Sequence, residues 1–400
     1  MKSSKSSGLH KFLSVILIAV LLVFIVGFAS NGWQEDQGQP DNGEVGNVTD
    51  NTDENKDGTT NQETNDNVNG DNTGDDKKEP PKENGGINTD NTNEGNKDPE
   101  DALPPQNYIN NMTGLGVSET QKYNVPLGFV FDPVAPLYGI SSSEIAIEFP
   151  IEDGTTRLLS YTTDNSALWK IGSLVETRAF ISAMSHYFGG VIVSYGNDDV
   201  IPYDIWDTSS VELDLSKHYG SYHRENAKYV YTSYDKLGAA LDAASGLTAE
   251  VYKNAPFDFV SEGLVFGVSD AASVNIPYSD KSATTLHYSE KTGTYLYYKG
   301  GNRKVDMLSG KNVGFENVFV LFADATTYEK SSGTELVIDV ISGGRGYYVT
   351  KGTLAEFTWA LDEIGELNFY SLSGERLTVN RGNSYLAFYK ASDAVNVKIG

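Results

Sequence analysis

The sequence predicts an α+β protein in which an N-terminal membrane helix and a disordered linker precede a mixed α/β domain and a mainly antiparallel all-β domain. Three observations lead to this prediction. An apolar run lies near the N-terminus, a polar tract without aromatic residues follows Trp33, and all 24 tyrosines come after residue 107. The folded part is therefore expected to begin at about residue 106, where the side chains needed for a core first appear.

Residues 12–29 form an uncharged apolar run, FLSVILIAVLLVFIVGFA, which is long enough to span a bilayer as a helix. Lysines before the run and acids after it predict a single-pass anchor at the cell membrane, with a cytoplasmic N-terminus. Alternatively, the small residues ending at Ala29 fit a signal peptidase site, and cleavage there would release a secreted protein. Either way, the domains are expected on the extracytoplasmic side.

Residues 31–105 contain 20 Asp and Glu against 5 Lys and have almost nothing apolar to bury. This composition predicts a disordered, self-repelling tether. The net charge of the whole chain is −25, and residues 106–400 carry −13 of it. An acidic folded part argues against a nucleic-acid partner, which needs a basic surface. There are no cysteines, so disulfides, thiolate metal sites and a lipid-modified Cys are excluded.

The domain at 106–250 is predicted to alternate strands and helices. Ser173 and Glu176 fit a helical capping box, and Gly189 fits a helix end. The predicted elements are strands at 126–131, 145–151 and 158–161, a helix from 173 to 189, strands at 191–195 and 229–231, and a helix from 233 to 244.

The domain at 256–400 reads as all-β, because many short strand patterns are separated by closely spaced turn residues. A sandwich or a barrel-like sheet is expected. The predicted strands are 273–278, 284–289, 295–299, 318–323, 336–341, 346–350, 354–359, 367–371 and 385–390.

Charged residues cluster in the hairpin at 144–161. Glu148 and Glu152 could serve as general acid and base, but four residues along an extended strand separate them by about 13 Å, more than glycosidase carboxylates require. The simpler interpretation pairs Glu148 with Arg157 across the hairpin. Arg178, just inside the following helix, could present its guanidinium to a carboxylate or phosphate.

Residues 143–159, SEIAIEFPIEDGTTRLL, resemble the segment ADIxYExPVEGGxTRxL of the YerB-like lipoprotein family of Gram-positive bacteria. Residues 172–178, GSLVETR, resemble its G-P-V-R-S-A-R, and Gly300, Gly301 and Asp306 resemble its G-G-x-P-H-x-D. The resemblance covers 107–391. It implies an exported, surface-tethered protein of two domains without a stated reaction. The polar residues that the family has at Val175 and Lys304 are replaced here, which argues against a family-wide catalytic site.

The sequence therefore predicts a non-catalytic binding or scaffold module at the cell envelope, with a cell-wall component or an envelope protein as partner. Its candidate binding residues are Glu148, Arg157, Arg178 and Asp306, and no catalytic residue, metal or cofactor is predicted. Two alternatives remain. One is an enzyme acting on wall glycan or peptide through Glu148, Arg157 and Arg178, and the other is a structural spacer without a ligand.

Overall fold

One large β-sheet organises the part of the chain that the computed structural model describes. The described residues are 108–165, 168–196, 211–243, 255–261, 263–267, 270–330, 333–363 and 365–400, and they belong to a single compact unit. The predicted anchor at 12–29 and the predicted linker at 31–105 lie outside them. Within the described residues, no helix has the length and apolar character needed to cross a membrane.

The described residues are mainly β with few helices. The strands are β1 (Tyr108–Ile109), β2 (Gly116–Val117), β3 (Leu127–Phe131), β4 (Ile145–Pro150), β5 (Thr156–Thr162), β6 (Ile171–Leu174), β7 (Val191–Ser194), β8 (Glu212–Asp214), β9 (His223–Glu225), β10 (Tyr229–Thr232), β11 (Asp258–Phe259), β12 (Ser273–Ser279), β13 (Ser282–Ser289), β14 (Thr294–Lys299), β15 (Asn302–Arg303), β16 (Gly314–Phe315), β17 (Asn317–Ala323), β18 (Ala325–Lys330), β19 (Gly333–Ile338), β20 (Gly344–Thr350), β21 (Thr353–Leu361), β22 (Leu367–Ser371), β23 (Thr378–Val379), β24 (Ser384–Lys390) and β25 (Lys398–Ile399). The helices are α1 (Glu119–Tyr123), α2 (Ala179–Ser182), α3 (Met184–Phe188) and α4 (Tyr234–Ala243).

The main sheet has 13 strands in the order β22-β21-β20-β17-β24-β4-β5-β3-β6-β10-β9, with β7 beside β3 and β8 beside β7. Its centre is parallel, because β24 pairs in parallel with both β17 and β4. A second sheet of six strands has the order β15-β14-β13-β12-β25, with β16 beside β14.

Both faces of the main sheet are covered, which explains why its central strands are apolar without a polar alternation. On β4, Ile145, Ile147 and Phe149 enter a core that also contains Phe180 and Met184 from α2 and α3. Ala146 of the same strand enters a second core, built with side chains of the six-stranded sheet. A strand buried on both sides has no face for a solvated charge, so a charged side chain there needs an internal partner.

Strands from both predicted domains share the main sheet. Ser384 of β24 lies in register with Ile145 of β4, and Ala387 lies in register with Glu148. The segment in which the sequence places the boundary, near 250–256, falls largely outside the described residues. The division into two domains near 250–256 therefore stays a prediction. Strands from before and after this boundary are hydrogen-bonded neighbours in the main sheet.

The predicted capping box is wrong. Ser173 and Leu174 belong to β6, which pairs with β10 and contacts β3, so the polypeptide is extended at this point. The helical residues begin six positions later, at Ala179, with Arg178 as the extended residue before them. Sheet pairing provides the hydrogen-bond partners of these backbone groups, and Glu176 is free to bind an arginine instead.

Candidate functional site

Two of the predicted binding residues meet in one ionic network on the hairpin. A guanidinium nitrogen of Arg157 donates to Glu176, and Arg178 donates to Glu152. Arg178 Nη1 also lies 3.6 Å from the Glu176 carboxylate. The two arginines therefore converge, but two carboxylates of the same chain neutralise them.

Glu148 lies on the other face of the hairpin. It is opposite Leu158 in the register of β4 and β5, whereas Arg157 is opposite Phe149. Since neighbouring residues of a strand point to opposite faces, Glu148 and Arg157 cannot pair directly. The predicted Glu148–Arg157 pair is therefore wrong.

The true partner of Glu148 is Lys299 at the end of β14, whose ammonium lies 2.6 Å from Oε1. Both side chains are inaccessible to solvent, at 0% and 1% exposure. Four hydroxyl groups complete the shell around the carboxylate. Thr156 donates to Oε1, Thr284 reaches both oxygens, and Tyr297 and Tyr385 donate to Oε2 over 3.0 and 2.6 Å.

The electrostatics fit an ionised carboxylate. Burial alone would raise the pKa of Glu148, but the Lys299 charge and the hydrogen bonds hold that pKa below its ordinary value. Burial, together with the nearby Glu148 charge, raises the pKa of Tyr297 and of Tyr385 well above the ordinary value, so both remain hydroxyl donors. The cluster joins the main sheet to the six-stranded sheet through charge-assisted hydrogen bonds.

Asp306, the fourth predicted binding residue, is also buried, at 1% exposure. Its carboxylate accepts from the backbone of Gly139, Ser141 and Leu308 over 3.1, 2.9 and 2.8 Å, and from the Ser141 hydroxyl over 2.5 Å. These four bonds tie the turn at 139–141 to the turn at 306–308. The four predicted residues thus occupy three separate places, and their role in binding stays a prediction.

A cleft of about 520 Å³ lies elsewhere in the described region. Its lining combines apolar and aromatic side chains with an arginine, two carboxylates and amides, and the residues that matter here are Ile109, Tyr187, Phe259, Asp258, Asn368 and Arg376. Arg376 is held in place by the carbonyl of Ala255 at 2.6 Å and the carboxylate of Asp258 at 2.9 Å. Sequence reasoning missed this cleft because its walls come from five segments that are far apart in the sequence.

Glu144 lies behind the cleft wall and positions it. The carboxylate accepts from Asn110 Nδ2 over 2.8 Å, from the Thr163 hydroxyl over 2.6 Å and from the Thr163 amide over 3.1 Å. Asn110 in turn lines the cleft. Burial raises the pKa of Glu144 to about 7, against the opposing effect of these hydrogen bonds.

The architecture defines a class of β-rich protein in which a wide, centrally parallel sheet is backed by a smaller antiparallel one. Residues 274–386 match the family model of the C-terminal domain of DUF3048, described as a protein of unknown function. The fold is similar to the crystal structure of the YerB protein from Bacillus subtilis, with a TM-score of 0.62 and 20% identity, over 73% of this chain and 99% of that one. A search of curated proteins found no match. These findings confirm the YerB-like resemblance of the sequence, and residues 274–386 are similar to the DUF3048 C-terminal domain.

Proposed function

We propose that this protein is an extracytoplasmic binding module, held at the cell membrane by residues 12–29, and that it takes a cell-wall component into the cleft beside Arg376. The observation that carries the proposal is the lining of that cleft. Half of the lining residues are apolar or aromatic and half are polar or charged, so the cleft offers both contact area and hydrogen-bonding groups to a ligand. Wall glycans and peptides present the same mixture of apolar faces and hydrogen-bonding groups.

Charge and location support the same proposal. The tether of residues 31–105 gives the folded part a reach of roughly 50 Å from the bilayer as a flexible coil. The acidic balance of residues 106–400 disfavours docking on an anionic bilayer, so the binding surface is expected to face away from the membrane. A mature N-terminus at Ser30 would overturn the anchor and leave the binding proposal standing.

The enzymatic alternative needs Glu148, Arg157 and Arg178 in one place. Glu148 is buried on the opposite face of the hairpin, with both oxygens bonded to side chains of this chain. A general acid or base must lie within hydrogen-bond reach of the group it serves. The geometry of this trio therefore favours binding over the proposed hydrolysis.

The test is cosedimentation of the full chain with purified cell-wall sacculi. The cleft variant is Ile109→Asp, at a residue that lines the cleft and is 50% exposed. The matched control is Val134→Asp, at a residue that is 66% exposed and does not line the cleft. We expect wild type and the control to bind, and the cleft variant to bind at least roughly tenfold more weakly. No retention of the wild type, or equal retention of both variants, would overturn the proposal, and release of soluble wall fragments would favour the enzyme.

A further inference from the structure

A second cavity, of about 220 Å³, carries two cations in a protein whose net charge is −25. Lys351 and Arg381 both line it and both are exposed. Across the described residues, neither the Lys351 ammonium nor the Arg381 guanidinium has an ion pair or a side-chain hydrogen bond. This contrasts with Arg157 and Arg178, which carboxylates of the chain neutralise.

Lys351 adopts a left-handed backbone conformation, which is unfavourable for lysine. The turn between β20 and β21 consists of Lys351 and Gly352, with φ of 48° and 72°. A two-residue hairpin with positive φ at both positions strongly favours Asn-Gly, and lysine there carries a steric cost. Residues in unfavourable backbone conformations cluster at binding sites, where the position of the side chain serves the site.

Each of the two long side chains passes close to a glycine. Lys351 Cε and Nζ lie 3.2 and 3.3 Å from the place that a Cβ on Gly263 would occupy, so the glycine leaves room for the ammonium. Arg381 Cγ lies 3.0 Å from the corresponding place on Gly114. The end of the lysine side chain and the Cγ of the arginine therefore occupy space that a side chain at Gly263 or Gly114 would fill, and both cations line the cavity.

Two further residues that line the cavity, Asn380 and Glu316, are held by hydrogen bonds. Asn380 exchanges hydrogen bonds with the backbone of Leu264, accepting over 2.6 Å and donating over 2.8 Å, and it also donates to the Thr350 hydroxyl. Glu316 accepts from the Asn383 amide over 2.7 Å. Burial raises the pKa of Glu316, which reduces its negative charge toward mildly acidic pH and so reduces its repulsion of an anion.

We propose that Lys351 and Arg381 form a binding site for a phosphate group. Arginine offers a fork of donors to two phosphate oxygens, and lysine adds a compact positive charge. The two cations outnumber the single Glu316 carboxylate of the lining, so the cavity keeps a positive charge for an anion. Residues 258–261 run between this cavity and the larger cleft, so the site is separate and stands independently of the proposed function.

The test measures thermal stabilisation of the full chain by inorganic phosphate and by glycerol phosphate, with chloride of matched ionic strength and acetate as reference anions. A ligand that binds the folded state raises Tm as its concentration exceeds Kd. We expect both phosphates to raise Tm above chloride and acetate. If only glycerol phosphate does so, the source is an organic phosphate rather than the free ion.

The decisive variants are Lys351→Asn and Arg381→Gln, with Lys311→Asn as control on an exposed turn outside the cavity. Asparagine suits the left-handed turn, so loss of binding in the first variant cannot come from misfolding. Each cavity variant should weaken phosphate affinity at least roughly tenfold, and the control should not. A wild type that responds equally to phosphate and chloride, or cavity variants that keep full affinity, would overturn the site.

Discussion

At the residue scale, the most consequential contact joins Glu148 to Lys299, which is 151 positions away in the chain. The Glu148 carboxylate accepts hydrogen bonds from five side chains, so its charge is fully compensated inside the core. A buried ion pair adds little net stability compared with an apolar replacement of both partners, but it specifies which surfaces meet. Here it specifies how the hairpin β4–β5 meets the six-stranded sheet.

Replacing Lys299 alone should therefore lower the free energy of unfolding far more than replacing both members of the Glu148–Lys299 pair. We expect Lys299→Met to lower the free energy of unfolding by about 3–5 kcal/mol, because Glu148 is left buried without a countercharge. The double variant with Glu148→Gln should recover part of this loss. Urea denaturation of both, with exposed Lys281→Met as control, measures the difference. A Lys299 variant no less stable than the control would contradict the role of the pair.

Glu144 makes stability depend on pH. Its pKa is about 7 in the folded protein against an ordinary value of 4.5, so the folded state holds the proton more tightly in this interval. Because the folded state binds more protons than the unfolded state, the free energy of unfolding falls as pH rises. Between about pH 5 and pH 8 the wild type should lose up to about 3 kcal/mol relative to Glu144→Gln.

The measurement is the difference in unfolding free energy between wild type and Glu144→Gln at a series of pH values, which cancels the other titrating groups. Gln keeps one acceptor oxygen and replaces the other with an NH2 group, so it cannot serve the donors on both Glu144 oxygens, and the variant is expected to be less stable overall. The slope with pH is the informative quantity, and parallel curves for the two proteins would show that the pKa is not raised.

At the scale of elements, β24 decides whether the main sheet exists. It lies between β17 and β4 and pairs in parallel with both. Tyr385, Leu386, Ala387 and Phe388 of this strand are buried. The following strand, β25, has only two residues and pairs only with β12 at the rim of the smaller sheet.

A chain that ends at Gly382 should therefore fail to fold, because β17 and β4 lose their common neighbour and both cores are opened. A chain that ends at Asn396 loses β25 and the buried Val397, and should keep the fold with a lower Tm. Circular dichroism with thermal denaturation distinguishes the two. Cooperative unfolding of the shorter chain would refute the central role of β24.

At the scale of the whole molecule, strands from the first and second predicted domains share one hydrogen-bonded sheet. Parallel neighbours need long connections, so residues far apart in sequence become adjacent in this sheet. The same arrangement explains the cleft, whose walls come from residues near 110, 187, 257, 367 and 376. A binding surface assembled in this way leaves no local motif.

The sequence by itself determined where most strands lie. All nine strands expected between 273 and 390 are present, as are the hairpin at 144–161 and the helix after Ser233, because alternation and turn residues are local signals. It also determined the acidic character and the exclusion of cysteine chemistry. Only the tertiary structure decided that Ser173 is in a strand, that Glu148 binds Lys299, and that Arg157 binds Glu176. The physical reason is that strand order and register depend on contacts between distant segments, and a shift of one residue moves every side chain to the opposite face.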